Sequence, residues 1–336
     1  MSDELQSSDE TGAAATERFN TVVPDLGSGA GWDRSDLSVL FTLHPGEDGA
    51  LYSPHAHLNA NGAVFGGQLV GQALTAAQHD VPPDIPAHSM QINFLRPGMP
   101  DTAMRYEVRN LMRGRSFLVQ QVVGTQGDRM VISATASFHR GEAGPQHQAT
   151  PPEHVPDPDS LPTFREVMER NAHRVPEAAR RRVGGSRILD LRPLDPEAFL
   201  FDRNPDARFQ YWIRVKTALP EDAALHQAVL GYLSDYWFPL TSMAPHLDSM
   251  FGSGLYVASL NHTVWFHGAA RPQEWLLVDA ASPFSGSSRG LTTGQLYDRE
   301  GRLVLTMAQE GLYRGWVQCK DGEFQAPGMS SGRGGI

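Results

Sequence analysis

The chain is predicted to be an α+β protein made of two tandem copies of one unit, an antiparallel sheet packed on a helix. Three observations carry that expectation. A helix-like stretch followed by a run of strand-like segments occurs twice. A proline-rich stretch separates the two occurrences. The last strand of one can be laid over the last strand of the other in register. At 336 residues there is room for two ordinary domains, and 40% apolar with 20% charged residues suits a sizeable core.

Residues 1–17 carry Asp3, Glu4, Asp9, Glu10 and Glu17 with no base, and read as a disordered acidic tail. The first unit, 18–140, has helical composition over 65–78 and strand-like runs over 103–112, 117–124 and 130–138, parted by glycine-containing turns. Residues 141–187 form a proline-rich linker followed by a charged surface helix over 163–182, broken near Pro176. The second unit, 188–320, repeats the scheme, with a helix over 222–235 and strands over 255–266, 274–279, 290–297 and 303–313. Residues 321–336, rich in glycine and serine, read as a second disordered tail.

Composition excludes several classes of function. The net charge of −10 argues against nucleic acid, which is bound through clustered positive charge. Half of that charge sits in the acidic tail, so the folded body is only mildly acidic. Cys319 stands alone and offers neither a disulfide nor a metal pair. The start is acidic and polar, unlike a signal peptide, and no apolar run approaches the ~20 residues of a membrane span. A cytoplasmic protein that does not engage membranes is expected. No glycine-rich dinucleotide or phosphate loop is present, and no cofactor is expected.

Laying Arg129-Met130-Val131-Ile132 over Arg302-Leu303-Val304-Leu305 exposes an asymmetry. By the period of two, Met130, Ile132, Ala134, Ala136 and Phe138 share an inward face, continued on the second strand by Leu303, Leu305 and Met307. Gln309 then falls where the sister strand has Ala136. With Gly71 over Gly231, Asp235 falls where the first helix has Thr75, close to the inward stripe of Leu225, Ala228, Val229 and Tyr232. An acid and an amide placed inward in one copy only point to a single working site. Each residue alone also has an ordinary reading: Asp235 as a cap, Gln309 as a partner for neighbouring backbone.

At these residues the chain resembles the type II acyl-CoA thioesterases, which have a double hotdog fold. The resemblance runs in order through Val64-Phe65-Gly66-Gly67-Gln68, Phe94-Leu95-Arg96-Pro97-Gly98, Gly114-Arg115-Ser116-Phe117, His226-Gln227, Leu230-Gly231-Tyr232, Ser234-Asp235, Trp265-Phe266-His267, Glu274-Trp275-Leu276-Leu277 and Gln309-Glu310-Gly311. It implies a tandem double hotdog, two antiparallel sheets each packed on a long helix, and assembly into homodimers or homotetramers. It also implies that an Asp, a hydroxyl residue and a Gln activate the hydrolytic water. These fall on Asp235, Ser259 and Gln309. Ser259 departs from the usual Thr, keeping the hydroxyl and losing a positioning methyl; Asn261, Gln91 and Asn93 depart as well.

Thioester hydrolysis needs an activated water and a home for the developing oxyanion. Asp235, with an ordinary carboxyl pKa of about 3.9, is expected to be ionised at neutral pH and to accept the water's proton. The first helix opens on Gly66 and Gly67, whose backbone N–H groups a substrate carbonyl can approach at a positive helix end. A composite site is therefore expected, with oxyanion donors from the first unit and water activation from the second. Coenzyme A is anionic, so Arg113, Arg115, Arg271 and Arg289, in or beside turns, are candidate substrate contacts, and Trp237 is a candidate wall of the acyl pocket.

Two motifs are decoys. Gly286-Ser287-Ser288-Arg289-Gly290 matches the nucleophile-elbow pattern but lacks the strand-to-helix context that an elbow requires. His55 and His57 share a strand face without further ligands at metal spacing; surface histidines are expected there and no metal. The leading expectation is hydrolysis of acyl-CoA to free acid and coenzyme A. Alternatives are release of acyl chains from a carrier protein and a non-catalytic acyl-CoA-binding module. A hydratase would pair its acid with a histidine, and no inward histidine is expected near Asp235.

Overall fold

The computed structural model describes residues 32, 35–59, 62–175, 188–249, 255–315, 317–318 and 324–325. The acidic segment 1–17, Cys319 and residues 176–182 of the helix expected over 163–182 lie outside them. The helices are α1 (Leu37–Phe41), α2 (Gly66–Gln78), α3 (Phe164–Arg170), α4 (Pro196–Leu200) and α5 (Ala223–Ser234). In the first half the strands are β1 (His44–Pro45), β2 (Leu51–Ser53), β3 (Ala87–Phe94), β4 (Met104–Arg113), β5 (Phe117–Gln126) and β6 (Arg129–His139). The second half has β7 (Leu189–Pro193), β8 (Arg208–Val215), β9 (Tyr256–Phe266), β10 (Leu276–Gly286), β11 (Arg289–Tyr297) and β12 (Leu303–Arg314). A ladder of β13 (Val317–Gln318) with β14 (Phe324–Gln325) lies in part within the tail expected to be disordered.

The duplication is explicit in the pairing. The first half orders its strands β1-β2-β4-β5-β6-β3 and the second β7-β8-β10-β11-β12-β9. The expected two sheets are one. The edge strands β3 and β9 pair antiparallel, from Ser89 opposite Trp265 to Asn93 opposite Asn261, giving a single 12-stranded sheet. Pairing the two edges satisfies the rows of N–H and C=O groups that separate sheets would leave open. The sequence reading misses β1, β2, β3, β7 and β8.

Both long helices lie against the inward face of this sheet and against each other. They run antiparallel, because Gly66 and Gly67 at the start of α2 meet Asp235 and Tyr232 at the end of α5, whereas Gly71 meets Ala228 further back. The approach is close enough that a Cβ on Gly67 would stand 2.5 Å from the Tyr232 carbonyl oxygen. The α5 start is capped by Asp222, whose carboxylate accepts from the N–H groups of Ala224 and Leu225; α2 begins at Phe65 without a side-chain cap.

The inward stripe of β6 begins one step later than expected. Met130 is exposed while Val131 and Ile132 are both buried, because a bulge at Gly124/Thr125 shifts the β5–β6 register. A shift at Leu296/Tyr297 does the same on β12, so Leu303 joins an outer cluster with Trp212, Trp275, Leu277 and Tyr297. The proline-rich linker covers that cluster. Val155 and Leu161 pack on it, Trp212 donates to the Pro156 carbonyl at 3.0 Å, and Arg192 donates to the carbonyls of Pro158 and Leu161. No helix among the described residues is long and apolar enough to cross a membrane.

Candidate active site

Asp235 is the C-terminal cap of α5, at φ −91° and ψ −6°. Two residues later Trp237 takes a left-handed conformation, φ 61°, and turns the chain into a 3₁₀ segment, Phe238–His246. The helix therefore ends with the carboxylate aimed back at the start of α2. A Cβ on Gly66 would lie 2.6 Å from Asp235 Oδ2, so a larger residue there would push the carboxylate from this position.

Ser259 and Gln309 reach the acid from adjacent strands. On β9 a bulge at Leu260 separates two pairings, Asn261 with Glu310 and Ser259 with Gly311. It reverses side-chain parity and brings Ser259 to the side on which His262 and Val264 are buried. Gln309 is fully buried on β12 and donates through Nε2 to Asp235 Oδ1 at 2.5 Å and to Ser259 Oγ at 2.8 Å. The Ser259 hydroxyl lies 3.5 Å from Asp235 Oδ1, the long limit of a hydrogen bond.

Burial changes the expected charge state. Desolvation pushes the Asp235 carboxyl up to about 7, against the opposing hydrogen bonds from Gln309, the Gly67 N–H and Ser259. Desolvation wins because three donors do not replace the water shell of a carboxylate enclosed by helix and sheet. Asp235 is thus poised near neutrality rather than fully ionised. The Gly67 N–H belongs to Asp235, which removes it from the pair of oxyanion donors expected at the start of α2.

Ser259 and Gly66 line a cavity of about 190 Å³ with Val64, Leu69, Phe94 and Arg96. Arg289 stands at its edge: it is opposite Leu312, another lining residue, and forms an exposed ion pair with Glu310 at 3.3 Å. Arg113 and Arg115 do not join it. They belong to the β4–β5 hairpin, whose Phe117 pairs with His139 away from Ser259. Trp237 is core, with its ring 4.6 Å from Phe199 and 5.0 Å from Phe164, and it does not line this cavity. Ser287 and Ser288, both at positive φ, form the tight turn of the β10–β11 hairpin, as the rejection of an elbow required.

An inward histidine near the acid does exist. His262 lies directly opposite Gln309 and is buried, with Nε2 2.7 Å from the hydroxyl of Ser234, the neighbour of Asp235. That hydroxyl donates to the Gly231 carbonyl at 2.8 Å, so it accepts from a protonated Nε2. Burial lowers the His262 pKa to about 3, so the ring is neutral and is not a proton donor of the kind a hydratase needs. Counting back by twos from Phe266 and Val264 would have found it. His57, expected at the surface, is buried with Nδ1 3.1 Å from the Tyr232 hydroxyl. Among the described residues no group of three or more His, Cys, Asp or Glu side chains could hold a metal.

Comparison with known proteins agrees with this architecture. Residues 54–139 match the family model of the acyl-CoA thioesterase N-terminal domain, and residues 147–313 that of the C-terminal domain. Human acyl-coenzyme A thioesterase 8 is 32% identical over 308 residues, 87% of this chain and 95% of that protein. Acyl-CoA thioesterase 2 of Haemophilus influenzae is 32% identical over 253 residues, 75% of this chain and 87% of that protein. The crystal structure of the acyl-CoA thioesterase II TesB2 from Mycobacterium marinum superposes with a TM-score of 0.66 at 29% identity, covering 83% of this chain and 96% of that one.

Proposed function

The chain belongs to the acyl-CoA thioesterase family and hydrolyses acyl-CoA, and from that premise we propose that Asp235, Ser259 and Gln309 activate the attacking water. The observation that carries this reading is the shared hydrogen bonding of Gln309 to both Asp235 and Ser259 beside the open end of α2. Ionised Asp235 accepts a proton from water, whose oxygen attacks the thioester carbonyl carbon. The Gln309 carbonyl Oε1, buried without a partner, and the Ser259 hydroxyl hold that water. The carbonyl electrons move to the oxygen, which is met by the Gly66 N–H at the positive helix end. Collapse of the intermediate breaks the carbon–sulfur bond, and the proton on Asp235 leaves with the coenzyme A thiol.

Arg289 at the cavity edge supplies charge for the anionic coenzyme A. Assembly as a homodimer or homotetramer is part of the same proposal, supported by exposed apolar side chains such as Leu111 and Phe284 and testable by light scattering. Thiol release from acyl-CoA substrates of several chain lengths tests the chemistry. Asp235→Asn is expected to lower kcat by ~10² to 10⁴, the usual worth of a positioned general base. Turnover within a factor of two of the unsubstituted enzyme would remove Asp235 from the mechanism.

A further inference from the structure

Across the β3–β9 seam from the Ser259 cavity lies a larger one, of about 410 Å³ against about 190 Å³. Its walls include Ala87, His88 and His139 of the first repeat and Leu230, Phe266 and Arg271 of the second. It occupies the equivalent place in the duplicated fold. Ala87 pairs with Phe138 as Ser259 pairs with Gly311, and Met90 faces Ala136 as His262 faces Gln309. Even the bulge recurs, at His88 where the other copy has Leu260.

We propose that this second cavity binds an acyl-CoA thioester and does not hydrolyse it. The wall offers apolar surface for the acyl chain in Leu230, Phe266 and Ala87. Its rim carries the positive charge that coenzyme A phosphates need. Arg271 lies at the mouth, in an exposed ion pair with Glu221. Arg115 sits at the β4–β5 hairpin tip, which is tied to the neighbour of His139 by the Arg140 N–H to the Ser116 carbonyl at 3.1 Å. His139 lines the wall with its ring stacked on Phe117, centroids 4.1 Å apart.

The chemistry of the first cavity is missing from this one. Thr75, in the place of Asp235, spends its hydroxyl on the Gly71 carbonyl at 3.0 Å. Ala87 and Ala136 stand for Ser259 and Gln309. His226 and Gln227 replace the two glycines, and the Gln227 amide bonds both the N–H and the carbonyl of Ala87, at 3.2 and 2.8 Å. Histidines line this cavity, among them His88 and His267, but the carboxylate, hydroxyl and amide that together hold and activate water in the first cavity have no counterpart here, so a thioester that enters is not offered that route to hydrolysis.

Calorimetric titration of the full chain with a thioether analogue of a medium-chain acyl-CoA tests this, because the analogue cannot be cleaved. Two sites per chain are expected. Ala269→Trp, an exposed rim position that fills the second cavity, should leave one. Arg271→Glu should weaken one of the two sites about tenfold or more and spare the other. A single site in the unsubstituted chain, or two unaltered sites in both variants with circular dichroism unchanged, overturns the proposal. Analogue binding needs no hydrolysis, so this result is separate from the fate of Asp235→Asn in thiol release.

Discussion

In the first repeat Thr75, Ala87 and Ala136 occupy the positions that Asp235, Ser259 and Gln309 occupy in the second, on elements of the same order and pairing. The backbone makes both places alike, down to the bulge that turns one residue of the edge strand toward the helices. What separates them is side-chain chemistry, and the furnishing is crossed. The acid comes from the second helix, while the glycines that let it approach come from the first. Neither repeat would form the site alone. A duplicated fold can keep one cavity for chemistry and leave the other for binding because three substitutions and two glycines decide between them.

The two repeats also differ on the outer face of the sheet. The linker lies over Trp212, Trp275, Leu277 and Tyr297 of the second repeat. On the first, Leu111, Met112 and Phe117 remain exposed. The linker thus covers one apolar cluster on the outer face of the half that carries the buried acid, while Phe284 of that half stays exposed.

The comparison can be broken most forcefully by making the second site resemble the first. Gln309→Ala, which installs the residue of Ala136, is expected to lower kcat by about 10²-fold in thiol-release assays, since it removes the donor shared by Asp235 and Ser259. A change below threefold would mean that the asymmetry is structural only.

The pH dependence follows next in size. With Asp235 pushed up to about 7, kcat/KM should fall about tenfold per pH unit below that value and level off above it. Stability runs the opposite way. The folded pKa lies above the ordinary 3.8, so the stabilisation from burying the neutral acid is complete below about 3.8 and is lost as pH rises through about 7. The loss is on the order of a few kcal/mol. Denaturation midpoints followed against pH should show it, and Asp235→Asn should flatten the curve.

The paired glycines give a smaller contrast. A Cβ at Gly71 would collide with the Phe41 ring and the Ala228 carbonyl, whereas one at Gly231 meets only Val70, at 3.0 Å. Gly71→Ala is expected to cost about 1–3 kcal/mol by overpacking. Gly231→Ala should cost less, because the gain in helix propensity, about 1 kcal/mol, offsets the contact. Equal costs in urea unfolding would contradict the geometry. Smallest of all, Thr75→Ala should leave turnover unchanged and shift stability by no more than about 1 kcal/mol, in contrast to any change at Asp235.

Much of this was legible in the sequence. Periodicity places both long helices, three strands of the first repeat and four of the second, although β10 runs seven residues beyond its expected end, and the register comparison isolates Gln309 and Asp235. Strand β3 is hard to read because the bulge at His88 sets its inward residues Ala87 and Met90 three apart, leaving only Met90 to Asn93 in clean alternation. His262 is within reach of a count by twos from Phe266 and Val264, because inward parity on β9 holds that far. Parity fails beyond the bulge at Leu260, so Ser259 is reached only through resemblance. Arg113 and Arg115 were grouped with the acid because turns look alike in sequence; the hairpin pairing puts them beside the other cavity.

The order of residues by itself determined the duplicated α+β plan and the polar asymmetry between the copies, and its charge balance set the expectation against nucleic acid. These depend on local periodicity and charge, which do not need neighbours. Tertiary structure alone decided that two edges close into one sheet, that the helices cross with Gly66 against Asp235, and that the carboxyl rises to about 7. Each of these is set by groups far apart in the chain, and desolvation in particular is a property of everything that surrounds an atom rather than of the residue that bears it.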